Sequence, residues 1–364
     1  MRRQEIACCA CALVLWACAA PARAAEDFTV VTFVPTFAGP TNLGASVSTI
    51  LALRLWTTLR PRPNPNPDNL FFGTGKIEWS KRTIETRQAA IEAARKTKSE
   101  MALWGTVGEY GPGVIVASNL VIAPSEPAAI VRQTWPVKVG NVSLQLGLPS
   151  ISYRFSTLLL SKDVVEKYSR PNEVRVCEKK VAECAGRLLG DSFRGVRKED
   201  DFIFVRQSSL AVGWVPIPDL SAGQSEVVGF TAALISYMRG DFEQAEAYFS
   251  QVRDGRPVVD QDTRDYKADS LVRNDAALLA GISKFRRKQG IDGLRAAHAQ
   301  NPYSRYAVQA LIMADLDVAA SLPAGDAKTS HVKEASELVE SYRHLFPPDD
   351  PWLNGADRAL RNLN

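Results

Sequence analysis

The chain has 364 residues, 46% of them apolar and 23% charged, with 44 basic against 40 acidic residues and a formal net charge of +4. That apolar content is enough for packed cores and excludes a disordered chain. The length predicts two or three domains, and the near balance of charge gives no reason to expect nucleic acid or an anionic membrane as a partner.

Residues 1–24 read as an export signal. Arg2-Arg3 is the positive start, Ile6 to Ala20 the apolar stretch, and Ala22-Arg23-Ala24 an A-x-A cleavage site that leaves Ala25 as the new terminus. Losing three arginines and one glutamate lowers the formal charge to +2. A second reading is a lipobox at Leu15-Trp16-Ala17-Cys18, with a lipid on Cys18; Trp16 is bulky for that motif. The apolar stretch is too short for a comfortable membrane span, and no later run qualifies, so no transmembrane segment is expected. Four of the six cysteines fall before residue 25, which leaves Cys177 and Cys184. An oxidising compartment predicts one disulfide between them; two reduced, buried thiols are the alternative. A helix between the two would hold their Cα atoms about 10 Å apart, too far to bridge. A disulfide therefore predicts a loop or hairpin there.

Residues 25–150 predict an α/β layer. Phe28 to Val34 is a β-branched and aromatic strand. A helix follows from Thr41 or Asn42 to Leu59, with Val47, Ile50, Leu51 and Leu55 on one face. The alternating prolines from Pro61 to Pro67 forbid regular structure and read as a stiff surface connector. Asn69 to Phe72 opens a second strand. Gly73-Thr74-Gly75-Lys76 is similar to the end of a phosphate loop, but Leu70 and Ile77 stand where that loop needs a glycine and a hydroxyl. A turn accounts for it better, and no nucleotide is expected. A second helix is predicted from Thr83 to Lys98, with Ile84, Ala90, Ile91 and Ala94 on its apolar side. Met101 to Val107 and Val114 to Ile122 are paired strands joined at Gly111-Pro112-Gly113. This element order, with the segment SEMALWGTVGEYGPGVIVASNLVI, resembles the amino-terminal domain of the translocation protein TolB and related envelope assembly factors. The resemblance covers about a hundred residues and implies a contact-mediating domain without chemistry; the propeller repeats of that family are absent. Residues 124–150 have no assigned role beyond a strand-rich connector.

Residues 153–222 predict a small β-barrel. After a short helix over Lys162–Tyr168 come five short strands, at 173–176, 185–190, 193–196, 201–206 and 211–216, separated by tight turns. Val174-Arg175-Val176, Asp200 to Arg206 and Val212-Gly213-Trp214-Val215-Pro216 resemble the strand signatures of bacterial SH3-like domains. Gly213 would allow close approach of neighbouring strands. Trp214 would cap the barrel or offer a ligand platform. Phe202 stands where the family carries Trp. Trp214 and Phe202 are the candidate binding residues of this segment.

Residues 224–364 predict helices only. Gln224–Arg239 and Asp241–Arg253 form a pair whose Gly240, Asp241, Ala245 and Phe249 resemble the tetratricopeptide (TPR) repeat: the glycine for the turn, the aspartate as cap, the alanine for close helix approach. Helices follow over 275–289, 292–300, 304–319 and 330–346, with a last one starting at Asp350-Pro351. Such TPR-like stacks present a protein- or peptide-binding face, and Tyr237 and Tyr248 are its candidate contacts. A plain packing bundle is the other reading.

No catalytic set stands out. The three histidines, His298, His331 and His344, have no Cys or His neighbour at ligand spacing, so no metal is expected. No G-x-S-x-G elbow is present, and the acidic clusters Glu199-Asp200-Asp201 and Asp349-Asp350 fit turns and caps. The expected fold is therefore α+β and multidomain: α/β layer, SH3-like barrel, TPR-like helices. The expected function is a non-enzymatic periplasmic scaffold that binds proteins or cell-wall peptide, without cofactor. Its rivals are an envelope enzyme acting on peptidoglycan through SH3-like targeting, and a lipid-anchored outer-membrane assembly component.

Overall fold

The computed structural model describes residues 30–59, 76–123, 133–168, 175–181, 184–188, 192–207, 212–216, 226–255, 266–347 and 349–363. The export signal, the proline run at 61–67 and the strand opening at 69–72 lie outside them.

The sheet grows around Val31–Phe37 (β1), whose alternating aromatic and β-branched residues are buried on both faces. Lys76–Ile84 (β2) and Met101–Tyr110 (β3) pair parallel with it on either side. Between β1 and β2 runs Thr41–Thr58 (α1). Its Ser48 hydroxyl donates to Pro35 O and Gly44 O and accepts from Phe37 N–H, which fastens the helix to the strand before it. The second helix, Arg87–Lys96 (α2), starts later than its apolar pattern predicts. Thr83 and Ile84 belong to β2, where Ile84 pairs with Phe37. The Thr86 hydroxyl then caps α2 by accepting from Ala89 N–H, which places the helix start after the strand has run out.

Gly113–Ile122 (β4) forms the predicted hairpin with β3, in unbroken register from Met101↔Ile122 to Tyr110↔Gly113. Two short strands share the far side of β4: Ser152–Arg154 (β7) pairs with its end and Leu158–Ser161 (β8) with its start. Lys162–Lys167 (α3) follows, capped by Ser161.

Between β4 and β7 in the chain lies a hairpin that the sequence patterning does not predict, Trp135–Val139 (β5) and Val142–Leu146 (β6). Every second residue of both strands is buried. Gly140 has φ +58° and Asn141 a negative φ, as a II′-like turn requires.

All five strands predicted for residues 173–216 form: Arg175–Val176 (β9), Arg187–Leu188 (β10), Ser192–Glu199 (β11), Phe202–Gln207 (β12) and Val212–Pro216 (β13). They are arranged differently from a separate barrel. β11, β12 and β13 are an antiparallel meander, and β11 pairs with β2 through Ser192↔Glu78 and Phe193↔Ile77. The meander therefore continues the first sheet, giving nine strands with the path β13-β12-β11-β2-β1-β3-β4-β7 and β8 also on β4. The free edge of β2 explains this. An exposed strand edge presents unpaired N–H and C=O groups that the next available strand satisfies. β9 and β10 make a small ribbon stapled by the Cys177–Cys184 disulfide, with Cα atoms 5.9 Å apart.

The helical half comprises Glu226–Met238 (α4), Phe242–Asp254 (α5), Tyr266–Arg286 (α6), Asp292–Gln300 (α7), Arg305–Ser321 (α8), Asp326–Leu345 (α9) and Pro351–Arg361 (α10). Gly240, at φ +73°, makes the turn between α4 and α5, and the Asp241 carboxylate caps α5 through Gln244 N–H. Each helix packs on the next in sequence. The stack also leans on the rest of the chain: α4 packs on α1, α6 on β7, and the β5–β6 hairpin lies on α8 and α10. Trp135 of the hairpin meets Phe285 of α6 at 5.4 Å between ring centres. The Asn362 side-chain amide donates to Val139 O and Asn141 Oδ1. A contiguous apolar core results, from Val30 beside the sheet to Leu360 in the last helix, and a second, smaller one lies between the sheet and α2. Among the described residues no helix is long and apolar enough to cross a membrane.

Candidate functional site

The four candidate aromatic residues fall in two places. Phe202 and Trp214 share one face of the β12–β13 pair, because Phe202 sits opposite Pro216 and Phe204 opposite Trp214. Trp214 is buried, with its ring edge-on to Phe204 at 5.1 Å and the Lys180 ammonium 5.8 Å from its centre. Phe202 is half-buried. A Cβ on Gly213 would lie 2.5 Å from Cys177 O, so only glycine fits against the ribbon there.

Tyr237 and Tyr248 are elsewhere, in the first helix pair. Tyr237 is buried, packed on Phe242 and Phe249. Tyr248 donates its hydroxyl hydrogen to Thr58 O at the end of α1 and accepts one from the Gln244 side chain. Both residues hold the helices to each other or to the sheet layer. Of the residues with structural roles, Ala245 and Phe249 are fully buried between helices.

Two other features have the composition of sites. The first is apolar. α2 covers only part of the outer sheet face, through Phe33, Ala102 and Val121. Farther along, the tips of β3, β4 and β8 leave Tyr110, Ile115 and Leu159 at 62%, 36% and 46% exposure. Ile115 and Leu159 are direct cross-strand partners. Scattered apolar side chains on a surface are ordinary, but adjoining ones on a rigid strand platform suit a partner. The unbroken Val114-Ile115-Val116 run was the available signal, since alternation puts its middle residue outside when its neighbours face the core.

The second is polar and lies among α7, α8 and α9. Asp315, on α8, is wholly buried, and its Oδ1 lies 2.7 Å from His331 Nδ1 of α9. Glu334, one helical turn beyond His331, receives two hydrogen bonds from Arg295 of α7, Nε at 3.0 Å and Nη2 at 2.6 Å. One ligand atom from each of Asp315, His331 and Glu334 lies within 4.8 Å of the others. Burial pushes the Asp315 carboxyl up to about 6, with His331 pulling the other way. No Cys or His neighbour along the chain marks this trio. His331-x-x-Glu334 was readable at i, i+3 on one helix face, while Asp315 comes from another helix.

A third buried acid sits where the helices meet the sheet. Asp275 of α6 faces Tyr153 of β7, and among the described residues neither Asp275 Oδ2 nor the Tyr153 hydroxyl completes a hydrogen bond. Burial drives the Asp275 carboxyl up to about 7, against a smaller downward pull from Tyr153. The folded protein then holds this proton more tightly than the unfolded chain, so its contribution to stability falls as pH rises from about 4 to about 7. Asp275→Asn is expected to match the wild type near pH 4 and to exceed it by about 4 kcal/mol at pH 8, at about 1.36 kcal/mol for each of roughly three pKa units. Urea unfolding across that range measures this. A residual slope from Asp315, which acts in the same direction, should remain in the variant.

No family model, curated protein or solved structure matches the chain.

Proposed function

We propose that the protein is a non-enzymatic scaffold of the cell envelope, exported to the periplasm, that binds a protein partner through the outer face of its sheet. The observation that carries this reading is the Tyr110–Ile115–Leu159 patch on paired strands, beside a face α2 leaves uncovered. A sheet that continues unbroken from β13 to β7, with a helical stack packed against it, supports the reading further. It makes a stiff platform, which limits the ordering entropy that binding must overcome. The Cys177–Cys184 bridge fits an oxidising compartment.

Ile115→Glu combined with Leu159→Glu tests the proposal. Both side chains point to solvent, so stability should change by no more than about 0.5 kcal/mol each. Crosslinking in envelopes should then lose the partner bands that the wild type gives. Equal crosslinking by the variant sinks the patch as the binding face. Incubation with purified sacculi addresses the non-enzymatic half: soluble muropeptides released by the protein would replace the scaffold reading with a peptidoglycan-acting enzyme.

A further inference from the structure

We propose that Asp315, His331 and Glu334 form a binding site for a divalent transition-metal ion, best suited to Zn²⁺, that ties α8 to α9. The three side chains offer two carboxylates and one imidazole nitrogen, all within 4.8 Å of one another. The Asp315 side chain is 0% exposed, and among the described residues its Oδ2 has no hydrogen-bond partner. A buried carboxylate oxygen without a donor is costly, and a cation beside it removes that cost. His331 and Glu334 are 22% and 32% exposed, which leaves the cluster an approach from solvent.

The donor set chooses the ion. Ca²⁺ needs six to eight oxygens and Mg²⁺ a near-ideal octahedron with several waters, and neither favours an imidazole. Zn²⁺ accepts nitrogen and carboxylate at about 2.0–2.2 Å, and three protein ligands leave its fourth position for water. Tetrahedral ligands at that radius stand about 3.3 Å apart. The His331 Nδ1 and Asp315 Oδ1 atoms are 2.7 Å apart; ligation through Oδ1 requires them to separate by roughly half an ångström, within the reach of a χ adjustment, and the unpartnered Oδ2 is the other oxygen Asp315 can offer the ion.

Arg295 is the competing cation, since it holds both Glu334 oxygens. Metal binding exchanges at least one of those hydrogen bonds for a metal–oxygen bond. Arg295 also separates a metal site from an anion site, for which the guanidinium would be the anchor.

The test is isothermal titration of the purified, EDTA-treated full-length protein with ZnCl₂. One Zn²⁺ per chain should bind and raise the melting temperature. Removing an outer-shell partner of a metal ligand typically costs 10–100-fold in affinity, so Asp315→Asn and Glu334→Gln should each lose about 100-fold or more. Glu334 sits at the rim, so Glu334→Gln keeps the test intact if Asp315→Asn fails to fold. Arg295→Gln should bind at least as tightly as the wild type. The other two histidines are controls: His298→Ala and His344→Ala should bind unchanged. Three results overturn the proposal: no Zn²⁺ binding, binding that survives Glu334→Gln, and binding lost with Arg295→Gln or with His344→Ala.

Discussion

Replacing Phe230 by alanine is expected to cost about 4–5 kcal/mol, at the upper end of the range for removing a buried aromatic ring. The ring is fully buried on α4 and sits where three parts of the chain converge. Its centre lies 4.6 Å from that of Tyr153 on β7, 5.9 Å from that of Phe155 in the segment between β7 and β8, and 5.5 Å from that of Phe249 on α5. Burying a phenylalanine removes roughly 150–250 Å² from water, worth about 4–6 kcal/mol at 25 cal/mol per Å². The neighbours are themselves rings locked by helix and sheet, so the cavity will not collapse and its cost adds to the lost transfer energy. Phe230→Leu keeps most of the volume and should cost about 1.5 kcal/mol or less. Because the core runs unbroken from sheet to helices, unfolding of the wild type in urea should be a single transition by both tryptophan fluorescence and far-ultraviolet circular dichroism. In Phe230→Ala the two signals should separate, the helical half melting first. A loss below about 1 kcal/mol would show that the halves are joined mainly elsewhere, through the β5–β6 hairpin.

Much of this architecture was legible where a local rule was strong. The β3–β4 hairpin follows from alternation around Gly111-Pro112-Gly113, and its ends were placed within about three residues. Asp241, Ser304 and Asp350 each cap the helix that follows, as short polar residues before apolar periodicity should. What the sequence hid was non-local. Nothing in Ser192-Phe193 announces that they pair with Glu78-Ile77, more than a hundred residues away, so the strands of one sheet read as two domains. The β5–β6 hairpin carries one local signal, Gly140-Asn141 between two alternating runs, and the shapeless stretch before it outweighs those two residues. The start of α2 is ambiguous in the sequence because Ile84 satisfies a helical stripe as well as a strand, and strand pairing with Phe37 decides between them. The candidate binding residues meet a related limit: Trp214, Tyr237 and Tyr248 are large aromatics, and large aromatics mostly fill cores, whereas the exposed Ile115 and Leu159 show themselves only when strand parity is known. Asp315 meets His331 only once α8 and α9 are folded back on each other.

Trp214→Ala should be the second severe lesion, at about 3–5 kcal/mol. Three effects could dominate at this residue, and their sizes rank them. The backbone of Trp214 exchanges two hydrogen bonds with Cys177, N to O at 2.7 Å and O from N at 2.8 Å, and alanine would keep both. The Lys180 ammonium near the ring belongs to an exposed side chain also paired with Glu199 and Asp200, so its attraction to the indole is screened by solvent and is the smaller effect. What alanine does remove is the packing of the indole against Phe204 and the ribbon, and that term is the largest. It should exceed the loss from opening the Cys177–Cys184 bridge, which closes a short loop and contributes about 2 kcal/mol in a chain-entropy account. The two lesions touch one ribbon, so their costs should not add; a coupling of about 1 kcal/mol is expected when Trp214→Ala is measured with and without the disulfide. Denaturant melts of the four forms decide the matter. If Trp214→Ala folds with little loss of stability and fails only in partner crosslinking, the indole is a binding platform, and the meander at the end of the sheet becomes a recognition surface in its own right.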